Sequence, residues 1–357
     1  MWRPGEAAFG AGALAVSALV LLPWLGFDLR LQPHKSALND YWKARVPDVI
    51  YGRAYRPFVQ RTLVPSTIRV IRQGLPRSTL GAIRRTVSGP PLFLPRKMGI
   101  LGWEPAFLTE YAIAIAVLAG LVAGFPFALR RLSAALYDAP AAAAVAGLLA
   151  TLLLPCFFFD RGTHYLYDFA TLLLSTLALT FLAEGQLGRY YGVFVLGAFN
   201  KETMALMVLV FALVALERSQ RRLVLAHVVA QVAIVGCVQW GLGRIFAGNP
   251  GGPLEWHLVK NMRLMMTIPG LPSLLLLAAS VVLVFARLQD KPLLLRRALV
   301  VLPPLLVSYL CLGIYGEIRI FYEAYPVLFL LAFHNACATL GRPLTPREGR
   351  AIVATAS

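Results

Sequence analysis

Asp40, Arg56, Arg61, Asp160, His164, Asp168, Lys201, Glu202, Glu317 and Arg319 are side chains able to do chemistry in an otherwise apolar sequence. Carboxylates can take protons or hydroxyl hydrogen bonds, and guanidinium or ammonium groups can hold phosphate oxygens. The most informative cluster is Asn200, Lys201, Glu202 and Thr203, which interrupts an apolar run from Tyr190 to Leu216. An ionisable side chain at membrane depth costs about 2.5 to 3.5 kcal/mol on insertion scales, so an adjacent Lys and Glu there point to a site. Pairing with neighbouring spans at a broken helix is the competing account of the same two charges. Asp160, His164 and Asp168 recur at intervals of four, so a helix beginning near Asp160 would carry them on one face. That set could hold a divalent cation, but the spacing alone is a weak signal, and a polar wall of a site is the favoured reading. A helix N-cap explains Asp160 and leaves Asp168, further into apolar sequence, unexplained. Glu317 and Arg319, followed by Glu323, stand between two apolar segments, a position where opposite charges often form a structural ion pair. Arg56 and Arg61, like Asp40, Tyr41 and Asp48, read individually as solvated loop residues. His257 and Lys260 could join the group, although solvent exposure is the simpler account of both.

The elements that must position these residues are membrane helices. Hydrophobic residues make up 58% of the 357-residue chain and charged residues 14%, with a formal net charge of +17. The mean hydropathy of +0.68 lies far from that of a soluble globular domain. The expected fold is all-α, a polytopic integral membrane protein. Apolar segments run approximately over 8–27, 107–129, 141–159, 165–182, 223–245, 271–285, 298–314 and 324–340. With the interrupted 190–216 segment, about nine membrane elements are expected. The N-terminal segment reads as an uncleaved first span, since its charged start is weak and no A-x-A site follows at a sensible distance. Cys156, Cys237, Cys311 and Cys337 all lie in apolar spans without metal-type spacing, so burial is expected for them.

Basic residues set the orientation. The loops with Arg130 and Arg131, Arg189, Arg218 to Arg222, Arg287 to Arg297, and the tail with Arg342, Arg347 and Arg350 should share the cytoplasmic side. Residues 190–216 must then enter and leave on the same face as a broken hairpin. About 11 residues up and about 13 down, at roughly 1.5 Å each, place its apex near the outer leaflet. A single tilted span of about 27 residues is the alternative, and it would strand Arg218, Arg221 and Arg222 outside. The domain layout is thus a first span (1–26), a long outward loop (27–105), a helical bundle (106–341) and a basic tail (342–357). The outward loop carries 14 Lys and Arg against four acids. At that length it translocates regardless of charge, and anionic headgroups or phosphorylated lipids, not nucleic acid, are its expected partners. Within it, Pro65 to Gln73 reads as a short amphipathic helix stopped by Gly74. Val64, Ile68 and Ile71 would face lipid while Arg69 and Arg72 snorkel to headgroups, unless that face packs on the spans.

A first span, a long outward loop with an early acidic residue and a membrane-parallel helix, then a run of spans, resembles the C-type multi-span glycosyltransferase superfamily. More narrowly, Asp40-Tyr41, the Arg56-Pro57 to Pro65 stretch, Tyr167-Asp168, Phe199 to Thr203 and Glu317-Ile318-Arg319 resemble bacterial membrane proteins of that general type. One departure is visible: Asn39-Asp40 stands where many such enzymes carry paired acids. The resemblance implies a polyprenyl-phosphate-linked sugar donor in the outer leaflet of the bacterial cytoplasmic membrane. Its phosphate would be held by Arg56, Arg61, Lys201 or Arg319. Asp40 would be the general base, and transfer would invert the anomeric carbon, because no second carboxylate is assigned as nucleophile. Tyr41, Asp160, His164, Asp168, Asn200, Glu202 and Glu317 would complete the substrate wall. A transporter or lipid flippase also places broken helices and charges on a substrate path, though no matching interrupted pair occurs in the two halves. A non-catalytic subunit of an envelope-assembly complex is the third reading.

Overall fold

The computed structural model describes residues 4–31, 42–88, 104–157, 165–217, 219–252, 254–265, 271–313 and 318–347. Asp40, Tyr41, Asp160, His164 and Glu317 lie outside the described residues. Among those described the chain is all-α, without strands, apart from one isolated bridge between Tyr137 and Pro346. The helices are α1 (Pro4–Leu31), α2 (Val46–Ile50), α3 (Leu63–Gly74), α4 (Arg77–Ser88), α5 (Leu108–Leu136), α6 (Pro140–Leu153), α7 (Asp168–Ala183) and α8 (Leu187–Asn200). They continue with α9 (Leu206–Ala215), α10 (Arg221–Ile245), α11 (Leu258–Met265), α12 (Leu271–Phe285), α13 (Leu293–Ala298), α14 (Leu302–Cys311) and α15 (Tyr325–Thr339).

Three stretches, Pro105–Leu136, Arg221–Ile245 and Leu293–Cys311, are long and apolar enough to cross a membrane. Pro140–Leu153, Asp168–Ala183, Glu202–Ala215 and Tyr325–Thr339 are apolar but shorter. At about 1.5 Å per residue, helices of that length fall short of the ~30 Å hydrocarbon core. Of the nine membrane elements expected, then, three meet the requirements of length and hydropathy together among the described residues. Large apolar side chains on α10, including Leu225, Val229, Val232, Trp240 and Ile245, are exposed, as are Leu275, Val281 and Val282 on α12. Water would penalise such surfaces, and hydrocarbon would not. Cys237 is also exposed, on α10, where burial was expected, because that helix turns most of its surface away from the bundle.

Close helix approach is built from small residues and local repairs. Gly147 on α6 meets α5 where a Cβ would lie 2.5 Å from the Pro126 carbonyl oxygen, so only glycine fits. Pro126 lacks the N–H that would bond Val122 four residues back, and the Ser17 hydroxyl of α1 donates a long 3.5 Å bond to that carbonyl. Thr176 and Thr180 on α7 bond backwards into their own helix, to Leu172 and Thr176 carbonyls, so their hydroxyls are satisfied without water.

The polar interruption reverses the chain. Lys201 is extended, with φ −162° and ψ 140°, ending α8, and a 3-10 turn over Glu202–Ala205 leads into α9. The Tyr190 ring of α8 stacks on the Phe211 ring of α9 at 5.7 Å, and its hydroxyl donates to the Met207 carbonyl at 3.3 Å. In one continuous helix, residues 21 apart would be separated by about 30 Å, so α8 and α9 run back along each other. Gly197 makes the reversal possible, since a Cβ there would lie 2.6 Å from the Met204 side chain folded against it.

Successive helices give the bundle two ends. One gathers the starts of α5 and α7, the end of α8, the reversal, the end of α10 and the start of α15. The opposite end carries the basic turns, tied by Arg131 to Glu184 at 2.7 Å, by Arg297 to Glu217, and by Arg347 to Asp138 at 2.8 Å. The amphipathic helix occurs as α3, almost where expected, but Val64 and Ile68 are buried against the bundle and do not face lipid. Its apolar face finds α5 as a partner, and Arg72 pairs with the buried Glu110 at 2.7 Å instead of reaching for headgroups. Ile71 and Val70 remain exposed.

Candidate functional site

A cavity of about 490 Å3 opens at the first of these ends. Four separate stretches wall it: Pro57 to Arg61, Tyr165, Lys201 to Thr203, and Arg319 with Ile320. Leu254, Glu255 and His257, with Gln239 and Gly243 of α10 and the end of α14, close the remaining side.

Arg61 ends a 3-10 turn whose Phe58 and Val59 are buried, so its position is fixed from behind. Its Nε and Nη2 donate to the two Glu202 oxygens at 3.1 and 2.5 Å, and Nη1 donates to the Tyr167 hydroxyl. The guanidinium also lies over the Tyr167 ring, 4.3 Å from its centroid. Burial opposes the Arg61 charge, but Glu202 outweighs it and holds the guanidinium pKa above its usual value.

Asp168 is the first residue of α7, with Tyr167 at the N-cap. The helix therefore does not begin near Asp160, and the expected shared face of Asp160, His164 and Asp168 is not formed by α7. Residues 165–167 form a turn in which the Tyr165 N–H donates to Asp168 Oδ2 at 2.8 Å. Its place in the first helical turn accounts for the Asp168 charge, which faces the positive end of the helix dipole. Arg319 Nη1 donates to the same oxygen at 3.0 Å and lies over the Tyr165 ring at 4.1 Å. Tyr165 stacks in turn on Tyr167, with centroids 5.3 Å apart.

The reversal supplies the third wall. Asn200 Nδ2 donates to the Tyr167 carbonyl at 3.0 Å and the Thr171 hydroxyl at 2.9 Å, tying α8 to the start of α7. Lys201 Nζ lies 3.0 Å from Glu323 Oε1, which also accepts from the Thr203 hydroxyl. Thr62 donates its backbone N–H to the Phe199 carbonyl at 2.9 Å and brings the outward loop onto this turn.

The remaining side hangs from polar straps. Asn249 Nδ2 donates to the Gly52 and Ala54 carbonyls at 2.9 Å, and Arg56 Nη2 donates to the Gly251 carbonyl at 2.7 Å. Gly251 has φ +90°, and a Cβ there would lie 2.9 Å from the Arg56 carbonyl oxygen, so glycine is required. Lys43 Nζ lies 2.5 Å from Glu255. Asn261 Nδ2 faces the Tyr309, Leu310 and Gly313 carbonyls at 3.2, 3.0 and 2.7 Å, satisfying the C-terminal end of α14.

Of the residues singled out from the sequence, Arg61, Lys201, Glu202 and Arg319 line the cavity, while Asp168 and Asn200 stand just behind its wall. Arg56 is turned to the strap and does not line it. His257 lines the cavity and Lys260 is exposed. Tyr165, Glu255 and Glu323 were not singled out as site residues. For Glu323 a signal existed, since it precedes the apolar α15 as Asp168 opens α7. Among the described residues, no three His, Cys, Asp or Glu side chains gather as a metal site. No protein-family model, curated protein or solved structure matches the chain.

Proposed function

We propose that this chain is a multi-span membrane glycosyltransferase that takes a sugar from a polyprenyl-phosphate donor on the outer face of the bacterial cytoplasmic membrane. One observation carries the reading: a cavity of about 490 Å3, lined by Arg61, Lys201, Arg319 and Glu202, at one end of an apolar helical bundle. Such a cavity suits a ligand with a charged, hydroxyl-rich head and an apolar tail. On this reading about nine membrane elements are present, shorter helices included. The end bearing Arg131, Arg297 and Arg347 is cytoplasmic.

Asp40 lies three residues before Lys43 in sequence, and Lys43 is bonded to the wall residue Glu255. In the proposed step the acceptor hydroxyl attacks the anomeric carbon as its proton passes to Asp40. The bond to the phosphate oxygen breaks, and the polyprenyl phosphate leaves with its electron pair, inverting the centre. Glu202 orients sugar hydroxyls, and Asp168 and Glu323 hold Arg319 and Lys201. Incubating the purified protein with a panel of labelled polyprenyl-phosphate sugars tests this. Transfer or hydrolysis is expected, and Asp40→Asn should abolish it while expression is unchanged.

A further inference from the structure

We propose that Arg61 and Glu202 are an exchangeable pair: an entering phosphate ester takes the Arg61 guanidinium, and the released Glu202 carboxylate turns to the hydroxyls carried beyond the phosphate. This rests on the glycosyl-phosphate reading above and identifies which of its cations receives the ligand.

The choice among the four candidate cations follows from what each would leave behind. Lys201 and Arg319 side chains are 9% and 8% exposed, and their partners Glu323 and Asp168 are each 1% exposed. Drawing either cation away would strand a carboxylate in a dry interior. Arg56 is committed to the Gly251 carbonyl and does not line the cavity. Arg61 differs on both counts. Its partner Glu202 is 46% exposed into the cavity, so the carboxylate stays solvated when the pair opens. Its own place does not depend on Glu202, because Tyr167 holds the guanidinium through its ring face and its hydroxyl.

Geometry favours the same exchange. Arg61 presents Nε and Nη2 together to two carboxylate oxygens, and that fork fits two oxygens of a phosphate equally well. Glu202 therefore occupies an anion position and competes with any ligand for it. Among the described residues, the cavity's Arg61, Lys201 and Arg319 each meet an internal acid, so a phosphate gains one of these cations by displacing its acid. Displacing Glu202 leaves the buried Lys201–Glu323 and Arg319–Asp168 pairs intact.

This predicts an unusual sign: removing a carboxylate should tighten binding of an anion. The test is the dissociation constant of farnesyl phosphate for the full-length protein in detergent, with farnesol and inorganic phosphate as comparison ligands. Glu202→Gln should tighten farnesyl phosphate about three- to tenfold, and Arg61→Gln should weaken it about tenfold or more. The gain from Glu202→Gln should vanish in the double variant. Glu202→Ala serves as the second variant where the amide does not yield monodisperse protein. Equal tightening of inorganic phosphate would assign the site to the phosphate group itself; tightening only of farnesyl phosphate would assign it to a lipid-borne one. Farnesol should be unaffected by either substitution. Unchanged or weaker farnesyl phosphate binding in Glu202→Gln, wild-type binding in Arg61→Gln, or no phosphate binding at all would overturn the exchange. Sugar transfer lost in Asp40→Asn would still support the transferase reading in the first two cases.

Discussion

The two ends of the bundle both carry ion pairs, yet they use them differently. At the basic end the side chains of Arg131 and Glu184 are 42% and 19% exposed, those of Arg297 and Glu217 are 43% and 40%, and those of Arg347 and Asp138 are 49% and 71%. At the cavity end Lys201 and Glu323 are 9% and 1% exposed, and Arg319 and Asp168 are 8% and 1%. Exposed pairs contribute about 0–1 kcal/mol, because water already solvates both charges. Buried pairs carry a desolvation cost of several kcal/mol per ion, offset only while both partners and their hydrogen bonds are present. The basic end can lose any one pair and keep its shape. The Lys201–Glu323 and Arg319–Asp168 pairs at the cavity end cannot be broken that way, whereas Arg61–Glu202 beside them, with Glu202 46% exposed, can open.

The strongest way to break that contrast is to remove one buried cation. Lys201→Met leaves Glu323 unpaired and should cost about 3–5 kcal/mol, read as a large fall in the thermal unfolding midpoint in detergent. Replacing Glu323 with Met as well should recover much of the loss, and no recovery would mean that packing, not charge, holds this turn. Next in size is Asn200→Ala. It removes the two bonds that tie α8 to the start of α7, while the Tyr167 carbonyl keeps the Thr171 N–H and hydroxyl as donors, so the cost should be about 0.5–1.5 kcal/mol by the same measurement. At the basic end, Arg131→Ala and Arg347→Ala should each shift stability by no more than about 1 kcal/mol, and less in high salt. A basic-end substitution as damaging as Lys201→Met would erase the distinction.

The interruption at Asn200 to Thr203 was legible because two charges inside an apolar run are costly whatever the fold. Its partners were not. Glu323 lies 122 residues from Lys201, Glu202 lies 141 from Arg61, and Asp168 lies 151 from Arg319. No local pattern encodes which distant acid meets which base. The apolar segment expected over 165–182 is met closely by α7, but the spacing of four does not say where a helix begins, and Asp168 itself opens this one. The boundaries of α3 were readable from Pro65 and Gly74. Its buried face was not, because amphipathicity alone does not separate lipid from protein as the partner of Val64 and Ile68.

The most direct test of the account is turnover. Purified full-length protein in lipid nanodiscs is given labelled polyprenyl-phosphate sugars, and the release of sugar from lipid is followed for the wild type and for Asp40→Asn. The account predicts release by the wild type with at least one donor, and none by the variant at equal folded protein. Full release by Asp40→Asn, or no release from any donor by the folded wild type, would contradict it.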